Sequence, residues 1–355
     1  MKKILNLFLL SMLSYSANFA QDVHFIQTNM VPQLMNPGAT GVFGGWERVT
    51  LGHRQQWMTM GSPFVTSQFA ADFNFLKGNG YGKKGYLGAG INVYNDVAGD
   101  AKLGTTQFSL SVAGVLNLNR ESSLSLGIQG GGAQRSAHTE NLIWANQFDG
   151  ETFDTELASN EANAATSFFQ PDFGSGLYYD YHGTKTSFKK TSLQNFYAGV
   201  SMFHLTSPVF KYYNGSSDKL HKKIVGMIGA DVALQGTKFA ITPRVAYTKQ
   251  AASQELLITL GGKYELKQGT KYTGIYNSSY LTFGINYRNK DAIAPMFGVE
   301  ISGWTVTAAY EINISPLKTA SKSQGGFEIA LSWANLNSAL FKGRRGKGFQ
   351  KPSGM

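Results

Sequence analysis

The sequence predicts an all-β protein: a transmembrane antiparallel β-barrel of about fourteen strands with an irregular, plug-like N-terminal segment. Three observations predict it. Apolar and small polar residues alternate along most of the chain, the first twenty residues have the form of an export signal, and the 355 residues include no cysteine. Alternation with a period of two places different solvents on the two faces of a strand. In an exported chain without disulfides, those solvents are lipid outside and water or plug inside.

The elements follow in order. Lys2 and Lys3, the apolar stretch Ile4 to Leu13, and Ala20 ahead of Gln21 make residues 1–20 a secretory signal peptide, too short to span a membrane. Residues 21–45 lose the alternation and carry Pro32, Pro37, Gly38 and Gly41, so they form an irregular lead-in or plug. The barrel occupies 46–335. Its strand-like runs lie near 46–57, 64–76, 85–95, 104–118, 122–135, 173–182, 194–204, 221–234, 237–247, 255–265, 275–287, 291–302, 304–314 and 325–335. The fourth is typical, with Phe108, Leu110, Val112 and Leu116 on one face and Gln107, Ser109, Ser111 and Asn117 on the other. Each run approaches or exceeds the ~9–11 residues of a tilted spanning strand. Lipid accepts only helices and closed barrels, and beyond the signal no apolar run nears the ~20 residues of a spanning helix.

If the first strand runs outward, odd-numbered connections are extracellular and long, and even-numbered ones short. The stretches 136–172 and 205–220 and the segment around Ser315 and Pro316 fit the first rule; Asn119–Glu121 and Gln235–Thr237 fit the second. The basic connection 183–193, with Lys185, Lys189 and Lys190, is an exception. Pro243 removes a ladder hydrogen bond from the ninth run and marks a bulge or a shifted edge. Trp46, Trp57, Tyr86, Tyr94, Tyr287, Trp304 and Trp333 fall near run ends, as membrane girdles would place them. Residues 336–355 read as a basic, flexible periplasmic tail. Tandem β-sandwich modules would share the short strands, but no linker divides this chain.

Composition narrows function. Of the net charge of +10, two charges leave with the signal peptide and five sit in the tail as Lys342, Arg344, Arg345, Lys347 and Lys351, leaving +3 for residues 21–335. No strand face carries a basic stripe interleaved with aromatics, so nucleic acid is not a partner. The glycine run Gly127 to Gly132 lacks the following Lys-Ser/Thr and helix of a phosphate loop and reads as a kinked strand near the rim. The six histidines, His24, His53, His138, His182, His204 and His221, have no metal-ligand spacing, and no serine stands beside a candidate base. The expectation is therefore a non-enzymatic protein with no cofactor or metal. Between Ser136 and Pro171 the chain carries Glu140, Asp149, Glu151, Asp154, Glu156 and Glu161 and no Lys or Arg. That acidic loop is solvated or serves a partner; Ca²⁺ is conceivable, but Asp149, Glu151, Asp154 and Glu156 lack the EF-hand spacing.

Several segments, taken in order, resemble the PorP/SprF family of Bacteroidetes type IX secretion proteins. They are Asp22–Gln27 (Asp-Val-His-Phe-Ile-Gln), Asn36–Gly41 (Asn-Pro-Gly-Ala-Thr-Gly) and His53–Trp57 (His-Arg-Gln-Gln-Trp), the last similar to the family's Tyr-Arg-Asn-Gln-Trp. Gln170–Gly176, with Pro-Asp and two spaced glycines, Tyr287–Arg288, Asp291–Ala292, Tyr310–Ser315 and Gly326–Ser332 continue the series. His53, Gln55 and Glu311 depart from the family's usual Tyr, Asn and Asp, which leaves open whether the chain is a general apparatus component or a dedicated paralogue. The resemblance implies an outer-membrane barrel of the type IX secretion and gliding machinery. Its partners would be components of that apparatus, a large secreted surface protein or adhesin, and outer-membrane lipid. It also points to Asn36, Pro37, Arg54, Gln56 and Trp57 as residues that position the lead-in within or under the barrel. Arg54 and Gln56 share a strand face; facing inward, Arg54 would pair with a buried carboxylate or a lead-in carbonyl. On the lipid face its charge would cost ~2–4 kcal/mol at mid-membrane. The alternative is a passive outer-membrane porin or a channel for hydrophobic compounds, which needs a continuous lumen.

Overall fold

Fourteen antiparallel strands, each paired with its neighbours in sequence, close into one barrel. The computed structural model describes residues 22–58, 61, 63–75, 84–99, 101–137, 142–154, 156–158, 167–183, 193–209, 219–267, 279–316 and 318–335. The expected signal peptide and basic tail lie outside the described residues, as do Lys185, Lys189, Lys190, Glu140 and Glu161. The strands are β1 (Glu47–Gln56), β2 (Phe64–Phe75), β3 (Gly85–Ala98), β4 (Leu103–Asn117), β5 (Ser122–Ser136), β6 (Ser167–His182), β7 (Leu193–Phe203), β8 (Lys223–Ala233), β9 (Phe239–Gln250), β10 (Ser253–Lys267), β11 (Ser279–Arg288), β12 (Ala292–Ile301), β13 (Trp304–Asn313) and β14 (Gln324–Asn335). Closure is antiparallel, with Glu47 opposite Asn335 and Gln56 opposite Gly326.

The faces are inverted relative to a soluble sheet. On β4, Gln107, Ser109 and Ser111 are buried, while Phe108, Leu110 and Val112 are about half exposed. Ile128 on β5 is 64% exposed and Leu260 on β10 is 66% exposed. Apolar outside and polar inside is the pattern of strands solvated by hydrocarbon. Tyr86 and Tyr94 correct the girdle expectation. They share a face of β3 with Asn92 and point inward, and Tyr94 is among the most buried side chains of the protein. Trp304 and Trp333 do sit opposite each other at the strand ends, with ring centroids 6.0 Å apart.

Prolines are accommodated by local ladder breaks. Pro243 lies within β9 and pairs with Leu260, but pairing with β8 skips from Gly229–Arg244 to Val232–Ile241. Pro295 likewise interrupts the β12–β13 ladder between Ile293 and Met296. β6 begins at Ser167, ahead of the expected 173; Pro171 hides this edge, and its pairing with β7 does not start until Ser175. Connection lengths alternate less than expected. At the end of the barrel opposite the chain's Trp46 and Asn335, the long stretches 137–166 and 204–222 stand beside the two-residue turn at 251–252. At the other end, 76–84, 183–192 and 268–278 are longer than tight turns. Turn length follows where neighbouring strands stop, which alternation alone does not reveal.

The lead-in lies inside the ring of strands. It passes through a turn at Thr28–Met30, the short helix α1 (Pro32–Met35) and a 3-10 turn at Pro37–Ala39, with Phe25, Ile26, Met30, Val31, Asn36 and Ala39 buried. Asp22 reaches the long-loop end, beside Lys223 at the start of β8, and Gly45 lies at the opposite end, beside Asn74.

A charge placed on the outer face should be costly. Ile128→Lys is expected to lower folding stability in lipid vesicles by about 2–4 kcal/mol, read by denaturant titration of the folded form; an unchanged stability would mean that this face does not meet lipid.

Candidate functional site

The lead-in is held to the wall by side chains that the inward face of each strand supplies, at three places. The first is the seam between β1 and β14. Alternation puts Arg48, Thr50, Arg54 and Gln56 on the inward face of β1, and closure sets Arg54 directly opposite Glu328. Both oxygens of Glu328 accept lead-in amides, Oε2 from Ile26 N and Oε1 from Gln27 N, each at 2.8 Å. Arg54 donates from Nη1 to the His24 carbonyl at 2.8 Å and from Nε and Nη2 to Glu311 Oε1 at 3.1 and 2.7 Å. Glu311 also takes Arg288 Nη2 at 3.1 Å, and Arg288 reaches Asp291 at 2.9 Å and Glu255 at 3.4 Å. Gln56 Nε2 lies 3.5 Å from Glu311 Oε2. Burial and then the positive charges of Arg54 and Arg288 push the His24 imidazole well below its ordinary value, so this ring is neutral.

The second place is a wall of glycines on β3 to β7. Asn36 is fully buried; its Nδ2 donates to the carbonyls of Leu177 at 2.9 Å and Val200 at 3.3 Å, and its Oδ1 caps the following turn by accepting Gly38 N at 2.8 Å. A Cβ at Gly176 would stand 2.0 Å from Asn36 Oδ1, and one at Gly127 would stand 2.3 Å from the Pro37 carbonyl carbon. Glycine therefore lets the Asn36–Pro37 backbone lie against the strands. The run Gly127 to Gly132, expected near the rim, thus contributes at Gly127 to lead-in packing. On β2, Asp72 accepts Gly41 N at 2.8 Å and both donors of Arg48, Nε at 2.9 Å and Nη2 at 2.7 Å.

The third lies at the long-loop end. Asp22 pairs with Lys223, accepts the Tyr94 hydroxyl at 3.2 Å, and lies 3.4 Å from His204 Nε2; His204 Nδ1 is 3.0 Å from Asp172 on β6. Burial pushes the Asp22 carboxyl up, but Lys223 and His204 outweigh it and hold it well below the usual carboxylate range. Burial pushes the His204 imidazole down, but its bonds to Asp172 and Asp22 outweigh that and raise it.

Of the residues expected to position the lead-in, Arg54 and Gln56 converge on Glu311, while Asn36 and Pro37 contact a different wall. Trp57 joins neither. Its backbone is left-handed with φ 55°, its amide donates to Gly325 O at 2.9 Å, and its ring packs edge-on to Phe64. Sequence reasoning missed Glu311, Glu328, Asp72, Asp22 and His204 as site residues. The available signal was parity: Glu311 and Glu328 fall on the polar faces of their strands, opposite Tyr310, Ile312, Phe327 and Ile329.

The acidic loop is separate from all three. Asp149 Oδ1 accepts Glu151 N and Thr152 N at 2.8 and 2.7 Å, bonds that lower its carboxyl, and Asp154 Oδ1 accepts Glu156 N at 2.8 Å. These carboxylates brace the loop's own turns, and among the described residues no group of three or more His, Cys, Asp or Glu is placed to hold a metal ion. The turn presents exposed Ile143, Phe148, Phe153 and Leu157, with Phe148 and Phe153 rings 5.1 Å apart.

Two outcomes follow. Arg54→Met leaves Glu311 and Glu328 short of counter-charge and is expected to destabilise the barrel by about 3–5 kcal/mol; Arg54→Met/Glu311→Gln should recover part of this in a double-mutant cycle by denaturant unfolding. A histidine whose folded pKa is raised stabilises fully below its unfolded value, roughly 6.5, and loses that contribution as pH rises through the folded value. Asp22, held low, stays ionised across that window. Hydrogen-exchange protection of residues 22–27, corrected for intrinsic rate, is therefore expected to fall as pH rises beyond roughly 6.5, and His204→Gln should remove this dependence.

Comparison with known proteins follows from this geometry. Among solved structures the chain is similar to the KdgM porin in complex with disordered oligogalacturonate, at 9% identity, covering 81% of this chain and 98% of that one, with a TM-score of 0.36. It is similar to the CymD monoaromatic hydrocarbon channel at 12% identity, covering 86% and 91%, with a TM-score of 0.40. It is also similar to BamA from Haemophilus ducreyi lacking POTRA domains 1–3, at 9% identity, covering 81% and 70%, with a TM-score of 0.39. No curated protein sequence matches the chain. The family model described as type IX secretion system membrane protein PorP/SprF matches residues 17–333. Nearly the whole chain is covered by that match, and the protein belongs to the PorP/SprF family of type IX secretion system membrane proteins.

Proposed function

We propose that this outer-membrane barrel acts without enzymatic activity to support export or surface anchoring of one large secreted protein by the type IX secretion and gliding machinery. On this reading residues 1–20 are a signal peptide, 21–45 a lumenal plug, 46–335 the barrel and 336–355 a periplasmic tail available to other parts of the apparatus. The observation that carries the reading is the lead-in itself. It occupies the lumen and is gripped by Glu328, Arg54 and the Asn36 slot, so the barrel is organised as a platform rather than an unobstructed bore. Asn36, Pro37, Arg54 and Gln56 serve this platform by holding the lead-in or its clamp, and Trp57 closes the seam at its rim.

The braced loop supplies the contact with the secreted partner. Exposed aromatic side chains beside carboxylates are the composition of a protein-binding hot spot with a selective rim. Asp149, Glu151, Asp154 and Glu156 set the sign of that rim, and Phe148 and Phe153 are its apolar anchor.

The test is a mild-detergent pull-down of tagged protein from native outer membranes, with partners identified by mass spectrometry. One large surface protein is expected in the eluate. Phe148→Asp/Phe153→Asp is expected to reduce its recovery roughly thirtyfold, the effect of losing about 2 kcal/mol at a hot spot. Recovery of the barrel alone would overturn the reading.

A further inference from the structure

We propose that the barrel has a second, gated activity: passage of ions and small hydrophilic solutes along the β8–β13 side of the lumen, with Thr28–Leu34 as the gate. Two cavities occupy that side of the lead-in. One, nearer the long-loop end, is a cavity of about 50 Å³ between Lys223, Val225 and Glu255 of the wall and Val31, Leu34 and Met35 of the lead-in. The other, nearer the opposite end, is a cavity of about 170 Å³ between Met227, Arg244 and Lys263 of the wall and Asn29, Met30 and Pro32, and it extends to Tyr178 and Tyr197 on β6 and β7. Thr28 borders both. On β8 the cavities meet consecutive inward residues, Val225 and Met227, which a strand spaces about 7 Å apart. One thickness of chain divides them.

That chain is fixed at its ends and free of wall hydrogen bonds between them. Glu328 clamps Ile26 and Gln27; Asn36 holds the carbonyls of Leu177 and Val200, and Ser201 Oγ donates to Met35 O at 2.6 Å. Among the described residues, the hydrogen bonds of Thr28–Leu34 are local, from Met30 N to Gln27 O, Val31 N to Thr28 O, Leu34 N to Val31 O and Asn36 N to Pro32 O. Buried Gln33 leaves its Oε1 without a partner. Swinging the segment about Gln27 and Asn36 joins the cavities without breaking a strand pair or the Glu328 clamp.

Charged side chains stand among the apolar residues that line the joined route. Arg244 lies 3.4 Å from Asp231, and Lys263 lies 3.7 Å from Asp231 and 3.6 Å from Glu300, looser than the 2.7 Å pairs that surround the lead-in. Among the described residues, buried Arg244 Nε and the buried hydroxyls of Thr282 and Thr307 have no partner. Charges of both signs hold water where a wholly apolar wall would exclude it.

The test is current recording from the full-length protein in planar bilayers bathed in potassium chloride. The wild type is expected to be mostly closed with brief openings. Asn36→Ala removes three hydrogen bonds at the hinge, two to the wall and the cap on Gly38 N, and is expected to raise the open fraction roughly tenfold; Ser201→Ala, which removes one, should act in the same direction if Asn36→Ala does not fold. The chain lacks cysteine, so Thr28→Cys in the Asn36→Ala background offers a single thiol where the cavities meet. A charged methanethiosulfonate is expected to reduce its current and to leave Asn36→Ala alone unchanged. Heat-dependent gel mobility reports folding. Silence from folded Asn36→Ala and from a folded variant lacking residues 28–34 would overturn the proposal, as would a current indifferent to modification at Thr28→Cys.

Discussion

Hydrocarbon around the barrel dictates the rest of the structure. Lipid draws the apolar half of every strand outward, so the polar half must line the interior. A lumen lined by Gln107, Ser109, Ser111, Arg54 and Glu311 cannot collapse into an apolar core. Whatever lies within it must satisfy its own backbone and the wall together. The lead-in meets both demands. Its amides at Ile26, Gln27 and Gly41 go to Glu328 and Asp72, and its carbonyls at His24, Met35 and Gly45 receive Arg54, Ser201 and Asn74.

The strongest of these fixings sits where the chain closes on itself. Arg54 belongs to the first strand, Glu328 to the last, and the bond from Ile26 N to Glu328 spans 302 positions. The lead-in's clamp is therefore complete only where β14 meets β1, and there it ties the two strands together from inside. Burial of so many charges is not explained by stability alone, because well-packed apolar groups often do as well or better. What the charges supply is direction. Each guanidinium has one set of carboxylates and carbonyls it can satisfy, and that set defines where residues 24–27 lie.

Strands were legible in the sequence because lipid and lumen demand opposite residues at alternate positions, and even Pro243 did not hide β9. The family was legible from Asn36–Gly41 and His53–Trp57. Less legible was which inward residue meets which. Alternation told that Arg54 and Gln56 share a face, but Glu311 and Glu328 became their neighbours only through closure, Glu311 standing 257 positions from Arg54 and 255 from Gln56. Tyr94 misled because an aromatic near a strand end fits a girdle as well as a lumen; its hydroxyl, 2.6 Å from Gln107 Oε1, needed the polar side. The acidic loop was legible as a solvated or partner-facing segment, but not the way Asp149 and Asp154 turn one oxygen each onto the loop's own amides.

The lumen is also asymmetric, and the asymmetry is written residue by residue. Glycine lines the side where the lead-in touches: a Cβ at Gly88 would stand 2.2 Å from Thr40 O, as close an approach as those at Gly127 and Gly176. Threonine, arginine, lysine and carboxylates line a cavity on the other side, around Thr282, Thr307, Arg244 and Lys263. A segment meant only to seal the bore would gain most by packing against every wall, since each unfilled volume forfeits contacts. This lead-in lies backbone to backbone against β3–β7, and it meets β8–β13 through side chains, Asp22 with Lys223 and Ile26 with Ala294, Met296 and Ala309. Close backbone contact on one side and small cavities on the other is the arrangement our gating proposal requires, in which Thr28–Leu34 moves while the barrel and its seam stay fixed.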